Sequence, residues 1–414
     1  MHFLNPLLSG CFALGLFTHL ADARLLDEAA LAAIRAETSR LHPSAQAGRS
    51  LENAAIEDLR AVRLWDDPTV GVDFMAARRP VMRREDGDLQ LSVDVPFPKP
   101  GLYEANLLKA EALLRVETEK TRAARIGSGT EAALLAIELA LADETIFLSS
   151  GELAWLSEME TNANQLALNP SSSGIDSIRL AAEKAKLEQD LASSKRTRDG
   201  IAKQLNVVMG KPVEKTWETF RLPASAPPIP AASAEVARIP YANPQIRALR
   251  EIAAATKADI RIADRERLPA ISAGIETRGY SQEGYVGITL GVKMTIPWFN
   301  RESNQAKVDA ASARTDAAIA DIETMRREIG TQVIAAATEA ANAAAQARAY
   351  GGEIREKALQ ANESVQASWI SSKAPLTDLL VTRRLLFSVD LEQRRQIAMQ
   401  LAAVERLNLL VPSP

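Results

Sequence analysis

The feature that most restricts what this chain can fold into is a set of four segments in which apolar and polar residues alternate, because a period of two fits a strand with unlike faces. In the clearest of them Val286, Ile288, Leu290, Val292, Met294 and Ile296 alternate with Gly287, Thr289, Gly291, Lys293 and Thr295. Its neighbour sets Ile271, Ala273 and Ile275 against Ser272, Gly274 and Glu276, with Gly279 to Gly284 as the hairpin loop between them. An earlier pair sets Val70, Val72 and Phe74 against Thr69, Gly71 and Asp73, then Leu89, Leu91, Val93 and Val95 against Gln90, Ser92 and Asp94. Between those two lies a polar loop holding Arg78, Arg79, Arg83, Arg84, Glu85 and Asp86. Strands are therefore expected near residues 68 to 78, 88 to 98, 269 to 280 and 285 to 297. Each has about the 9 to 11 residues that cross a bilayer at a tilt.

The two pairs belong to a duplicated plan, since a strand pair followed by long helical stretches occurs twice at an offset of roughly 200 residues. The expected repeats are residues 24–208 and 241–414. Between them a linker at 209–240 holds Pro212, Pro223, Pro227, Pro228, Pro230 and Pro240, with Pro244 just beyond, a content that suits an extended connection far better than a helix. Residues 302–350 are Ala-rich, with Gly330 as the one glycine and no proline. As a helix this stretch would run on the order of 70 Å. Ala318, Ile322, Met325, Ile329, Val333 and Ala336 form a stripe along it. Leu180, Leu187, Leu191, Ile201, Leu205 and Val208 do the same before the linker, and Leu380, Phe387, Leu391, Ala398 and Leu401 near the end. Such narrow stripes pack helices side by side as in coiled coils.

Four two-faced strands cannot close a barrel alone, and an open edge in lipid leaves backbone groups unpaired at several kcal/mol each. Closure calls for several chains, and three copies with four strands each make a twelve-stranded barrel, an even count within the range of bacterial outer-membrane barrels. The same alternation would serve a small soluble sheet packed on helices. Export separates the two: Phe12 to Phe17 is an apolar run ending in Ala21, Asp22 and Ala23, so residues 1–23 read as a signal peptide. Leu8, Ser9, Gly10 and Cys11 spell a second cleavage box, which would place a lipid on Cys11.

Composition narrows the function classes. The net charge of -4, with no dense Lys/Arg run interleaved with aromatics, gives no surface for phosphate neutralisation, so nucleic acid is not an expected partner. Past residue 23 there is no cysteine and only His42, which leaves no disulfide, no thiol or imidazole metal cluster and no expected cofactor. No Gly-rich phosphate loop, Ser elbow or HExxH motif is present, so no enzyme is expected. No uninterrupted apolar segment approaches the ~20 residues of a membrane-spanning helix, so any membrane insertion must use strands.

The stretch GITLGVKMTIPWFNRESNQAKVDA, Gly287 to Ala310, resembles the outer-membrane efflux protein (TolC-like) family, in which a strand ends at a Pro-aromatic turn and an Asn/Arg-rich segment starts a helix. VDVPFPKPGLYEANLLKAEA, Val93 to Ala112, echoes it in the first half. A third match is NPQIRALREIAAATKADIRIADRERLPAIS, Asn243 to Ser272. The resemblance implies a mainly α chain with a β-barrel portion. Three chains would share a twelve-stranded barrel in the bacterial outer membrane, and long antiparallel coiled-coil helices would form a periplasmic tunnel. It further implies a homotrimer acting as the exit duct of a tripartite pump, with a periplasmic adaptor (membrane fusion protein) and an inner-membrane transporter of the resistance-nodulation-division (RND) type as partners. The paired VDVPFP and TIPWFNRE turns look most like members serving heavy-metal exporters, with drug export beside it. An outer-membrane duct for type I protein secretion and a soluble periplasmic coiled-coil adaptor or scaffold are the alternatives.

In that setting Val286, Ile288, Leu290 and Val292 would face outer-membrane lipid. The far hairpins should bend at the polar breaks Asn169 to Gly174 and Ser371 to Pro375. In the family such tips carry aspartates and a basic residue that constrict the periplasmic mouth. The matching positions are Asp176, Asp378 and Lys373, although Ser371, Ser372 and Lys373 stand for Gly, Thr and Arg and Val381 replaces a second aspartate. Capping or dipole compensation of the following helices accounts for Asp176 and Asp378 equally well.

Overall fold

In the computed structural model the described residues are 23–78, 85–166, 174–225, 228–229, 231–279 and 286–412, with side chains left aside at 75–78, 85–88, 166 and 286. The signal segment up to residue 22, Cys11 and the first break before Gly174 lie outside them. In chain order the elements are β1 (Arg24–Leu25), α1 (Glu28–Leu41), α2 (Pro43–Ala61), β2 (Thr69–Arg78), β3 (Glu85–Pro96), α3 (Leu102–Leu166), α4 (Ile175–Val208), β4 (Phe220–Arg221), α5 (Ala232–Ala242) and α6 (Pro244–Glu266). Then follow β5 (Ile271–Gly279), β6 (Val286–Met294), a 3-10 turn at Pro297–Asn300, α7 (Arg301–Ala349), a π turn at Tyr350–Ile354, α8 (Arg355–Ile370) and α9 (Leu376–Leu410). No described helix is long and apolar enough to cross a membrane.

The four strands stand within a few residues of where alternation puts them, and the helix expected over 302–350 runs from Arg301 to Ala349. One expectation needs correction. The Pro-rich stretch is not extended throughout, because residues from Ala232 onward form α5, with Pro240 inside it near its end. Pro244 then opens α6 at its first turn, where a missing N–H costs nothing, and the Asn243 side chain accepts from the Gln245 and Ile246 amides to cap it.

The chain divides into two compact units, each assembled from separate stretches of sequence. One comprises residues 1–46, 124–242 and 329–414. Its main core is unusually rich in alanine: Ala132, Ala133, Ala136 and Ala140 of α3 meet Leu31 and Ile34 of α1, Leu205 of α4 and Leu401 of α9. Small side chains let helices approach closely, so packing density rather than bulk holds this core. β1 pairs in parallel with β4, Arg24 opposite Phe220 and Leu25 opposite Arg221. The Phe220 amide, on the side away from β1, donates to Asp143 Oδ2 at 2.9 Å, and the Leu222 amide to Glu144 Oε1 at 3.2 Å. Both carboxylates are buried and balanced by cations: Arg198 lies 2.8 Å from Asp143, and Arg221 and Arg394 lie 3.5 and 3.7 Å from Glu144.

The other unit comprises residues 47–123 and 243–328. Here α3 and α6 are tied by Lys109–Asp259, Arg115–Glu251 and Arg247–Glu119. The same unit carries the four-stranded sheet, whose order is β2-β3-β5-β6 with every neighbour antiparallel.

Candidate functional site: the two-faced sheet and the hairpin tips

Register turns the four alternating sequences into two continuous surfaces. Val70, Val93, Ile275 and Leu290 stand in one row across the sheet, and Val72, Leu91, Thr277 and Ile288 in the next. These apolar side chains are bare: Val70 is 68% exposed, Ile288 71%, Leu290 76% and Val292 74%. Of the four residues expected to face lipid, Ile288, Leu290 and Val292 thus share one uncovered apolar face, while the Val286 side chain lies outside the described set. Thr277 is the polar interruption that alternation did not foresee.

The opposite face is polar. Gly71, Ser92, Glu276 and Thr289 form one row, and Asp73, Gln90, Arg278 and Gly287 another. Lys293 Nζ donates to Asp94 at 2.8 Å although β5 runs between their strands, and Arg278 donates to Gln90 Oε1 at 2.7 Å. Gly274 of β5 makes the first of these contacts feasible: a β-carbon there would collide with the Asp94 carboxylate. β2 and β6 each have one partner among the described strands, so the sheet has two unpaired edges.

Where the sheet passes into the helices, Trp65, Phe97, Trp298 and Phe299 gather at one end and remain largely exposed, with the Trp65 and Phe97 rings 5.8 Å apart. Thr295 closes this end, its amide donating to Ala270 O and its hydroxyl accepting from the Ala270 amide.

The second set of expected residues lies at the hairpin ends of the other unit. Leu156, Met159 and Ala163 of α3, Leu180 of α4, Trp369 of α8, and Leu376 and Leu379 of α9 share one buried cluster, which brings the two hairpin ends together. Asp176 lies one turn before Leu180, and Asp378 adjoins Leu379. Neither is the cap residue, since Gly174 and Pro375 hold those positions without a side-chain cap bond. Both occupy the first turn, where negative charge complements the helix dipole. The bend at Ser371 to Pro375 is a tight helix stop. The Ser372 amide donates to Trp369 O and the Lys373 amide to Ser368 O, with Ser372 at φ 59°. Lys373 is exposed, and within the chain no ion pair links it to Asp176, Asp378 or any other described residue.

Sequence reasoning missed the contacts just behind these tips. Consecutive residues of α9 reach two different helices: Arg383 pairs with Glu152 of α3 at 2.8 Å and lies over the Trp155 ring, and Arg384 pairs with Glu183 of α4. Burial raises the Glu152 carboxyl above the ordinary range, an effect that Arg383 partly offsets. Only the doubled arginine in TRRLLF hinted at such a clamp. Among the described residues no group of His, Cys, Asp or Glu could hold a metal ion.

This architecture is that of outer-membrane channels. The chain is similar to the outer-membrane channel OprN, with 15% identity, 94% of this chain and 92% of that one covered, and a TM-score of 0.78. It is similar to the outer membrane protein VceC from Vibrio cholerae at 17% identity, over 92% and 96% of the two chains, with a TM-score of 0.72. The likeness extends to CusC, whose structures concern folding and transmembrane channel formation, at 15% identity, 94% coverage of each chain and a TM-score of 0.77. At such identities the likeness establishes the fold. No curated protein sequence matches the chain. Residues 241–411 match the family model "Outer membrane efflux protein".

Proposed function

We propose that the chain is the exit duct of a tripartite efflux pump, closed by three copies in the outer membrane. One observation carries this reading: a four-stranded sheet with one bare apolar face, one polar face and two unpaired edges. Such a sheet is unsatisfied alone, and joining β2 of one copy to β6 of the next would pair the edges in a twelve-stranded barrel. The apolar rows would then meet lipid and the polar rows a water-filled lumen. Trp65, Phe97, Trp298 and Phe299 would sit at the interfacial level where aromatics collect in such barrels.

The helices would continue the duct into the periplasm, where an adaptor links it to an inner-membrane RND transporter that supplies the energy. The cargo is heavy metal ions or drugs, with the VDVPFP and TIPWFNRE turns favouring the metal-exporting branch. A chain with one histidine and no cysteine past residue 23 has little with which to select a metal, so it would pass what its partners deliver.

At the mouth, three copies of Asp176 and Asp378 would place six carboxylates around one axis, favouring cations. Lys373, which has no ion pair to another described residue, would reach a carboxylate of a neighbouring copy and hold the mouth closed. Exposed pairs of this kind are individually weak, so adaptor docking would suffice to open them.

The test combines native mass measurement of the detergent-purified protein with single-channel conductance in planar bilayers. Three chains per particle and discrete conductance are expected. Asp176→Ala with Asp378→Ala should lower cation preference, and Lys373→Ala should raise open probability. A monomer that does not conduct refutes the duct. A conducting trimer whose mouth variants behave as wild type moves the gate elsewhere.

A further inference from the structure

The path from α7 to α8 contains a break that the channel reading does not require. Tyr350–Ile354 forms a π turn, and within it Gly352 adopts φ -105° and ψ -118°, outside the helical region. A π turn of this kind is one residue more than the helix needs, and such insertions kink helices and recur at moving parts. Two adjacent glycines supply the permissive backbone. Gly351 is further constrained by a neighbour, because a β-carbon there would collide with the Gln393 amide of α9. On one side Tyr350 packs against Ala358, Leu386 and Val389. On another the turn borders a cavity of about 660 Å³, lined by Ala344, Ala347, Gly351 and Gly352, by Gln393, and by Pro228 of the linker.

We propose that the Gly351–Gly352 turn is a hinge about which α8 and its tip reorient relative to α7, with Gln393 of α9 as the stop that holds the observed setting. Space, backbone freedom and a removable contact coincide at this point. Beyond the turn Arg355 pairs with Asp390 of α9 at 2.6 Å, so α8 carries the first part of α9 with it. α9 has no break and follows by the gentle bending open to long helices. The hinge concerns the chain itself. Only its consequence, a change in the width of the mouth, rests on the exit-duct reading.

The experiment places spin labels at Gln332→Cys on α7 and Glu363→Cys on α8, both exposed, with labelled chains diluted in unlabelled ones. Distances are measured in a cysteine-free background and hydrogen exchange is followed over 350–356. Three forms are compared: wild type, a form with Gly352 deleted to restore an unbroken helix, and Gln393→Ala, which removes the stop. Expected are a broad or split distance distribution in the wild type, one narrow population with exchange slowed about tenfold or more on deletion, and a broader one in Gln393→Ala. Should the deletion form fail to fold, the Gln393→Ala comparison decides alone. One narrow distribution, unchanged by the variants, overturns the hinge. Because distances and exchange are read without conduction, a hinge that moves in a protein that does not conduct separates failure of the duct reading from failure of this one.

Discussion

Leu290 offers the sharpest test of which medium the bare apolar face meets. It is the fifth of the nine residues of β6 and stands in the row of Val70, Val93 and Ile275. At about 3.4 Å per residue, roughly 14 Å of strand lies on either side of it, which would centre Leu290 in an apolar band about 25 Å tall if this face meets lipid. An arginine at the bilayer midplane of a barrel costs about 2–4 kcal/mol, so the proposed three-copy barrel would lose about 6–12 kcal/mol per assembly. In water the same substitution costs almost nothing, since the side chain is already 76% exposed. Leu290→Arg should therefore strongly reduce recovery of folded trimer from the outer membrane, as read by fractionation and heat-modifiable gel mobility. Met294→Arg, at the strand end, should cost about 0–1 kcal/mol, and Thr289→Arg, on the polar face, should assemble normally. Equal assembly of Leu290→Arg and Thr289→Arg would refute the orientation.

Asp143→Asn removes the charge that balances the half-buried Arg198 and weakens the acceptor for the Phe220 amide, so a loss of roughly 2–3 kcal/mol in the unfolding free energy from chemical denaturation is expected; an unchanged unfolding free energy would show the pair to be dispensable. Ser372→Gly relieves a left-handed residue at the end of α8 and should raise the melting temperature, with a gain of about 1 kcal/mol, whereas a loss would mean that the serine contributes something the glycine lacks. Burial raises the Glu405 carboxyl above its ordinary range against the opposing pull of Arg35, and Glu152 behaves alike. The fold thus favours the protonated forms. Their contribution is full below the ordinary carboxylate range and is lost as pH rises through the raised values, so melting curves across that interval should fall less steeply for Glu152→Gln with Glu405→Gln than for wild type. Parallel curves would contradict the assignment.

The sheet was legible because a strand with two unlike environments writes its period directly into sequence. β6 can be read residue by residue, and Thr277 escaped only because one polar residue in an apolar row leaves the period intact. Helix ends were legible where breakers stood, as at Pro297 and at Ser371 to Pro375. The two-residue pairing of β1 with β4 was not, because its partners lie almost 200 residues apart and the acceptors beside it, Asp143 and Glu144, look like any solvated helix face until α3 is folded. α5 was hidden for a related reason. Its proline stands in the last turn, where it gives up the bond to the carbonyl four residues back but leaves the preceding turns intact, yet composition weighs it like a breaker of the whole stretch. At the tips the aspartates were visible, but the clamp from Arg383 to Glu152 depends on which helices are neighbours, and sequence spacing alone does not give that.

The carboxylates behind β4 also dictate an order of events. A two-residue strand offers one edge to β1, through the Thr219 and Arg221 carbonyls, and leaves its outward amides at Phe220 and Leu222 with nothing to bind until a helix presents Asp143 and Glu144. The segment around Phe220 can therefore seat only on a surface that α3 has already formed, and the N-terminal Arg24–Leu25 only on the seated segment. Arg24 and Leu25, early in the chain, would be among the last to settle. Once both are in place the outward amides of Phe220 and Leu222 are occupied, so this edge of the ribbon keeps no free donor there to which a further strand could add.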